Sequence, residues 1–142
     1  VNNLEMKNIL NDAIDFSESN ANISNIFFGN IGDKAISAGE NSKIEIDNLK
    51  ISDSYLGITS KDGSDVNAKN IKISSVTIPF ASYKKKNEYN EPQLKIKKID
   101  YNGYKKLYLK DKFAKIIIDN KKKKKITKNI LDIIYNPSHK IY

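Results

Sequence analysis

Apolar and polar residues alternate along most of the chain. Ile44 and Ile46 precede Asn48, and Leu49 and Ile51 follow it, with polar residues between them. An alternation of period two predicts β-strands whose alternate side chains face a core. The polar pair between the two apolar runs predicts a corner at which the chain changes direction.

The same pattern recurs about every 22 residues. Val66, Ala68, Asn70, Ile71 and Ile73 repeat it downstream, and Ile23, Asn25, Ile26 and Phe28 repeat it upstream. A second series recurs at the same spacing: Ala13-Ile14, Ala35-Ile36, Gly57-Ile58 and Pro79-Phe80. Weaker copies run through Leu94, Ile96, Ile99 and Tyr101, and then through Ile116 and Ile118. Repeats of this length, made of short strands and polar turns, predict coils that bury their apolar faces only by stacking.

An asparagine occupies the same place in three of these copies, at Asn25, Asn48 and Asn70. Asparagine tolerates the left-handed backbone conformation that a sharp corner needs. Stacked asparagine side chains can also hydrogen-bond from one coil to the next. We therefore predict corners at these positions and a ladder of amides through all three.

Four stretches carry a resemblance to a known fold: "NDAIDFSES", "GDKAISAGENS", "GITSKDGS" and "PFASYKKKNEY". They resemble repeats of the right-handed parallel β-helix, the fold of the pectin-lyase-like superfamily, over about residues 4 to 103. Similar repeats accompany spore-coat-type kinase-like domains or envelope polysaccharide systems of bacteria. The resemblance implies an all-β solenoid of about five coils and a location outside the cell or in the bacterial envelope.

The chain divides into two parts on this interpretation. Residues 1–103 form the coils, and residues 104–142 form the last coil, a lysine-rich turn and a capping segment. Apolar residues at helical spacing in the second part predict a short amphipathic helix that covers the last coil. Thr127 is its predicted N-cap and Pro137 its stop signal. The apolar residues of this helix are Ile126, Ile130, Leu131, Ile133 and Ile134.

The first coil shows no comparable cap, and the chain begins at Val1 rather than at methionine. We therefore expect an upstream domain of the same protein as one partner.

The composition further narrows the classes of binding partner that we expect. The net charge is +8, and every basic residue is lysine. Because phosphate and base recognition rely on arginine, nucleic acid is not an expected partner, whereas an acidic polysaccharide is. Cysteine is absent, which excludes a disulfide framework and a thiol nucleophile. No apolar run is long enough for a membrane span.

Enzymes of the pectin-lyase-like superfamily carry motifs that this chain lacks. It has no arginine to act as the base of a pectate lyase. The Asn-Thr-Asp, Asp-Asp, Gly-His-Gly and Arg-Ile-Lys motifs of polygalacturonases and the Asp-Pro-His-Glu motif of alginate epimerases are also absent. These departures argue against all three activities. Five coils are also few for the substrate groove of a β-helix enzyme, so we expect a non-catalytic role, with no cofactor or dedicated metal site.

Acidic residues still provide catalytic candidates. The 22-residue register places Glu40 and Asp62 on adjacent coils, about 5 Å apart at Cα. Such a pair could bind Ca²⁺ or act as the acid and nucleophile of a retaining glycosidase. It could equally be two turn residues that stack because of the repeat. Asp33 is a third candidate. It belongs to an acidic set with Asp12 and Asp15. Its neighbour Lys34 lies in register with Asp12, so an exposed ion pair between coils is the alternative explanation for this set.

The most functional-looking segment is a long turn. The step from Val66 to Leu94 is 28 residues, and the extra length falls in "YKKKNEYNEP". Loops on a rigid scaffold often carry function. We expect the rings of Tyr83 and Tyr89 to stack on sugars. We expect the ammonium groups of Lys84, Lys85 and Lys86, with Lys61 nearby, to bind anionic glycans. The alternative is a hydrated loop without function.

The sequence therefore favours a non-catalytic β-helix module of a larger bacterial surface or envelope protein, with acidic polysaccharide as its candidate ligand. One alternative is a polysaccharide lyase, hydrolase or epimerase that uses Glu40, Asp62 or Asp33 with Lys61 or Lys34. Another is a purely structural spacer.

Overall fold

The computed structural model describes residues 1–141, and most of them lie in β-strands. The strands are β1 (Asn2–Ile9), β2 (Ile14–Ser17), β3 (Asn20–Ile31), β4 (Lys34–Gly39), β5 (Lys43–Lys61), β6 (Asp65–Tyr83), β7 (Gln93–Tyr104), β8 (Tyr108–Lys110), β9 (Lys115–Ile118) and β10 (Lys121–Lys122). A helix α1 (Ile130–Tyr135) and a 3₁₀ turn (Pro137–His139) follow them.

The strands stack in parallel from coil to coil. One ladder runs β1-β3-β5-β6-β7-β9, and a second face is built by β2, β4, the later part of β5, the later part of β6 and β8. Because each coil hydrogen-bonds to the next, the chain forms a β-solenoid of about five coils. The predicted fold class, a parallel β-helix with a small C-terminal cap, is confirmed.

The register of the strands reproduces the repeat seen in the sequence. Ile44 pairs with Val66, Val66 with Leu94 and Leu94 with Ile116, in steps of 22, 28 and 22 residues. The longer step contains the loop of residues 84–92, between β6 and β7. This loop therefore projects from a register that continues unchanged on both sides of it.

The core lies inside the coils. Ile44 and Ile46 are buried whereas Glu45, between them, is exposed, as strand alternation requires. Burial of each large aliphatic side chain contributes about 1.5–3 kcal/mol to the free energy of unfolding. The same inward positions recur on neighbouring coils as Ile23, Val66, Ala68, Leu94, Ile96, Ile116 and Ile118.

The predicted corners are present. Asn25, Asn48 and Asn70 have φ angles of 55°, 59° and 58°, in the left-handed region. Asn48 Nδ2 donates to Asn25 Oδ1 at 2.6 Å. Asn70 Nδ2 instead donates to Asp47 Oδ1 at 2.8 Å. The prediction of an amide ladder through all three residues is wrong at its last step, because a carboxylate within reach is the stronger acceptor.

The C-terminal helix begins later than predicted. Asn129, with φ 58°, precedes α1 and makes no side-chain cap. The predicted N-cap, Thr127, is wrong because its backbone N–H donates to Lys110 O at 2.8 Å, which ties this residue to the last coil. Pro137 follows the helix, as expected of a stop signal. No helix within residues 1–141 is long and apolar enough to cross a membrane.

The helix lies against a flank of the solenoid and not only over its last coil. Ile130 and Ile134 are buried in a second apolar cluster, which contains Leu56, Ile78 and Leu109. These last three residues belong to β5, β6 and β8, on successive coils. The C-terminal segment therefore covers one outer face of the solenoid across several coils.

Candidate functional site

An open groove crosses the outer surface of the solenoid along the direction in which the coils stack. It has a volume of about 540 Å³ and lies over the first halves of β5 and β6, between β3 and β7. Its lining residues are Asn22, Ile23, Ser24, Glu45, Ile46, Asp47, Asn67, Ala68, Lys69, Lys95 and Lys97.

The polar residues of the groove form two rows. Each row contains one residue per coil, because the positions that alternate with the buried core recur at the same register on every coil. The first row is Asn22, Glu45, Asn67 and Lys95, and the second is Ser24, Asp47, Lys69 and Lys97. Successive members of a row are separated by the strand spacing of about 4.8 Å.

Amide donors hold the two carboxylates of the groove in place. Asn67 Nδ2 donates to Glu45 Oε1 at 3.0 Å, and Asn70 Nδ2 donates to Asp47 Oδ1 at 2.8 Å. Both bonds run between adjacent coils, so the repeat itself orients these side chains. The two carboxylates of the groove therefore have defined hydrogen-bond partners.

Charge changes sign along the groove. The coil that contains Glu45 and Asp47 is acidic at these positions, whereas the next two coils contribute Lys69, Lys95 and Lys97. An extended ligand in the groove would meet carboxylates near one end and ammonium groups near the other. Lysine ammonium groups suit carboxylate or sulfate substituents, and amides suit hydroxyl groups.

The predicted pair of Glu40 and Asp62 lies on adjacent coils, but each carboxylate is engaged elsewhere. Glu40 accepts hydrogen bonds from Lys86 Nζ at 2.8 Å and from Ser17 Oγ. These two bonds, the one from Lys86 first, lower the pKa of Glu40 below its ordinary value of 4.5.

Asp62 is 0% exposed and serves as an anchor for the loop of residues 84–92. Its Oδ1 accepts the backbone N–H groups of Lys85 at 2.7 Å and of Lys86 at 2.8 Å. Asp111 accepts the backbone N–H of Lys84 at 2.8 Å. The start of this loop is thus pinned by two carboxylates that act through its backbone.

Asp33 belongs to a cluster on the flank covered by the C-terminal segment. Lys34 Nζ lies 3.3 Å from Asp33 Oδ2 and 3.7 Å from Asp12 Oδ1, and it stacks 4.9 Å from the centre of the Tyr135 ring. The expected cross-coil pair of Lys34 with Asp12 is present. The expectation that it is exposed is wrong, because Lys34 is 2% exposed beside Tyr135.

The two tyrosines predicted for sugar stacking differ in their exposure to solvent. Tyr83 is 0% exposed, and its hydroxyl lies 2.6 Å from that of Tyr135. A surface stacking role for Tyr83 is therefore wrong: its ring packs in the apolar cluster under the C-terminal segment. Tyr89 is half-buried in the loop.

Two of the lysines predicted to bind glycans make cation–π contacts with aromatic rings of the protein. Lys84 Nζ lies 4.9 Å from the Phe113 ring centre, and Lys85 Nζ lies 4.3 Å from that of Tyr135. Lys61 is half-buried. Burial, and after it the charge of Lys34, lowers the pKa of Lys61. The structure gathers these lysines around the loop but does not place them on the axial groove.

The described residues contain no cluster of three or more histidine, cysteine or acidic side chains that could hold a metal ion. The oxygen ligands suggested for Ca²⁺, at Glu40 and Asp62, make the contacts with the loop described above.

Sequence reasoning missed the residues of the groove, of which Glu45, Asp47 and Lys69 are examples. A signal for them existed: each lies one residue from a buried position of the repeat. Aligning these outward positions by the 22-residue and 28-residue steps would have assembled both rows. The same alignment does not distinguish an open face from a covered one.

Comparison with protein-family models, with curated proteins and with solved structures finds no match for this chain.

Proposed function

We propose that this β-solenoid binds a linear acidic polysaccharide in its axial groove, as a non-catalytic module of a larger bacterial surface or envelope protein. The observation that supports this proposal is the pair of polar rows, in which each coil presents one residue per row toward the groove.

The spacing of the rows suits a polymer. A pyranose ring in an extended glycan has about the length of the ~4.8 Å strand spacing. Each sugar of a chain aligned with the axis would therefore meet one coil and the two outward polar residues of that coil. Several weak contacts, one set per coil, together give avidity to an extended ligand without a deep pocket.

The three lysines toward one end of the groove favour anionic substituents on the glycan. Lys69 and Lys97 are exposed and Lys95 is half-exposed, so their ammonium groups are available for carboxylate or sulfate groups. The two acidic residues of the groove already accept hydrogen bonds from Asn67 and Asn70. The resemblance of the repeats to β-helices of the pectin-lyase-like superfamily, many of which act on acidic polysaccharides, also supports this ligand class.

Titration calorimetry with oligogalacturonate would test the proposal, with neutral cello-oligosaccharides as a ligand control. We expect the double variant Lys69→Gln/Lys95→Gln to weaken oligogalacturonate binding at least tenfold, since two charge-assisted contacts are lost. The matched control is Lys50→Gln/Lys72→Gln, which removes the same charge from the neighbouring outer face. Equal affinity in both double variants would refute the groove as the binding site.

A third double variant, Lys85→Gln/Lys86→Gln, tests the loop that the sequence singled out. A loss of binding confined to this variant would move the site from the groove to the loop. No binding of any acidic glycan by the unmodified protein would leave the structural spacer as the better account.

Glycan hydrolysis is a second candidate function, favoured by one specific observation. Glu45 and Asp47 lie two residues apart on β5 and line the same groove, with their Cα atoms about 7 Å apart. If the two carboxyl groups keep about the separation of their Cα atoms, they fit the spacing of an inverting glycosidase. Release of reducing ends from a glycan, abolished by both Glu45→Gln and Asp47→Asn, would support hydrolysis. Binding without product release would exclude it for that glycan.

A further inference from the structure

The positive charge of the protein is concentrated at one end of the solenoid. Residues 105–128 contain 11 lysines and two aspartates, a net charge of +9. The rest of the chain contains 14 lysines and 15 acidic residues, a net charge of −1. The overall charge of +8 therefore comes entirely from the last coil and the segment that follows it.

The few acidic groups at this end do not neutralise the lysines. Asp111 accepts the backbone N–H groups of Lys84, Phe113 and Ala114, and Asp119 accepts that of Lys98. Within residues 1–141, no ion pair joins a lysine of residues 105–128 to a carboxylate. The positive field at this end is thus directed into solvent.

Apolar side chains lie exposed within the same surface. Ile126 is 51% exposed and Leu131 is 39% exposed, although both belong to the apolar series from which the helix was predicted. They line a shallow surface pocket of about 550 Å³ together with Phe113, Lys84 and Lys112. Two acidic residues, Asp111 and Asp132, line the same pocket; Asp111 accepts backbone N–H groups, and Asp132 is paired with His139. Ile126 directly follows the lysine run of residues 121–125.

We propose that this basic–apolar surface, formed by Lys112, residues 121–125, Ile126, Lys128 and Leu131, binds the surface of an anionic lipid bilayer. Clustered lysines are attracted to anionic headgroups, and exposed aliphatic side chains insert at the boundary with the acyl chains. A soluble polyanion would use the lysines but would give Ile126 and Leu131 no partner. The combination of both chemistries selects the bilayer.

The geometry leaves the axial groove free. The groove opens along the outer face of β3, β5, β6 and β7, whereas the basic–apolar surface follows the last coil into the C-terminal segment. Contact with a membrane through the basic–apolar surface would therefore leave the groove open.

Vesicle co-sedimentation tests this inference with the complete chain. The probes are phosphatidylcholine vesicles with and without a minor fraction of phosphatidylglycerol, at about 0.1 M and 0.5 M salt. We expect binding only to the anionic vesicles, and weaker binding at the higher salt concentration. No binding to anionic vesicles at the lower salt concentration would overturn the proposal.

Two variants separate the charged and apolar contributions. Lys122→Gln/Lys124→Gln should weaken vesicle binding at least about tenfold, because each lysine near an anionic surface contributes on the order of 1 kcal/mol. Ile126→Ser/Leu131→Ser should weaken it about tenfold through lost apolar burial. The charge-matched control Lys50→Gln/Lys72→Gln should bind like the unmodified protein, and thermal melting should confirm that all variants are folded.

Calorimetric titration of the same variants with soluble polygalacturonate distinguishes a general polyanion surface from a bilayer surface. If Lys122→Gln/Lys124→Gln weakens binding to both probes and Ile126→Ser/Leu131→Ser changes neither, the bilayer proposal is refuted and the surface binds anionic polymers. If the apolar variant loses vesicle binding alone, the bilayer proposal is supported.

Discussion

Glu40 and Asp62 show how residues that resemble catalytic groups serve the structure. Their register brings them onto adjacent coils, yet each carboxylate accepts hydrogen bonds from the loop of residues 84–92. Asp62 accepts two backbone N–H groups, and Glu40 accepts the ammonium of Lys86. A protruding loop exposes several N–H groups that a strand would pair, and nearby carboxylates satisfy them.

The ion pair of Glu40 predicts a pH dependence of stability. Because the folded state lowers the pKa of Glu40 through Lys86 and Ser17, folding favours the ionised carboxylate. Its contribution is present above the ordinary value of 4.5 and is lost as the pH falls through the lower pKa of the folded state. We expect Glu40→Gln to lower the free energy of unfolding at pH 7, and to lower it progressively less as the pH falls below 4.5.

Urea denaturation at a series of pH values would measure this difference. Glu88→Gln, at an exposed position of the same loop, is the control and should show no comparable pH dependence relative to the unmodified protein. A constant difference between Glu40→Gln and the unmodified protein from pH 7 to pH 3 would contradict the assigned role of Glu40.

At the scale of elements, α1 is too short to be stable alone and depends on the flank of the solenoid. It buries Ile130 and Ile134 against the second apolar cluster, and Tyr135 contacts Tyr83 and Lys34. The outer face of the solenoid under the helix is apolar where other outer faces are polar. The helix and this face therefore depend on each other for burial.

Two alanine substitutions in α1 should have different effects on stability. Ile134→Ala should lower the free energy of unfolding by about 2–4 kcal/mol, since it removes a buried side chain from a packed cluster. Leu131→Ala should change it by less than about 1 kcal/mol, because Leu131 is 39% exposed whereas Ile134 is 2% exposed. Urea denaturation measures both, and similar losses in the two variants would show that the helix does not pack by its Ile134 face.

At the scale of the whole molecule, stability depends on contacts between neighbouring coils. β5 and β6 have a strand on either side, whereas the described part of the chain gives β1 only one neighbour, β3. The apolar residues Leu4 and Met6 of β1 are only half-buried. At the opposite end, β10 and the C-terminal segment cover part of the last coil.

This asymmetry predicts a gradient of local unfolding. Backbone amides in β5 and β6 should exchange with deuterium on the order of 100-fold more slowly than those in β1, since an end coil opens without disrupting the centre. Hydrogen exchange followed by mass spectrometry of peptides would measure this gradient. Uniform protection from β1 to β7 would mean that the chain unfolds as one cooperative unit.

The sequence by itself determined the solenoid. Apolar residues at Ile44, Val66 and Leu94 must recur once per coil because each one packs on the equivalent residue of the next coil. The corner conformation of Asn48 was predictable because asparagine tolerates the left-handed backbone region. The loop between Val66 and Leu94 was predictable too, because the register could be counted across it.

Only the tertiary structure decided which outer face remains open. Glu45 and Thr59 are both polar residues at outward positions of β5, yet Glu45 lines the groove and Thr59 is buried. Strand alternation separates inside from outside but carries no information about what packs against the outside. The C-terminal segment covers one of these faces, through contacts between residues as distant in sequence as Tyr55 and Ile141.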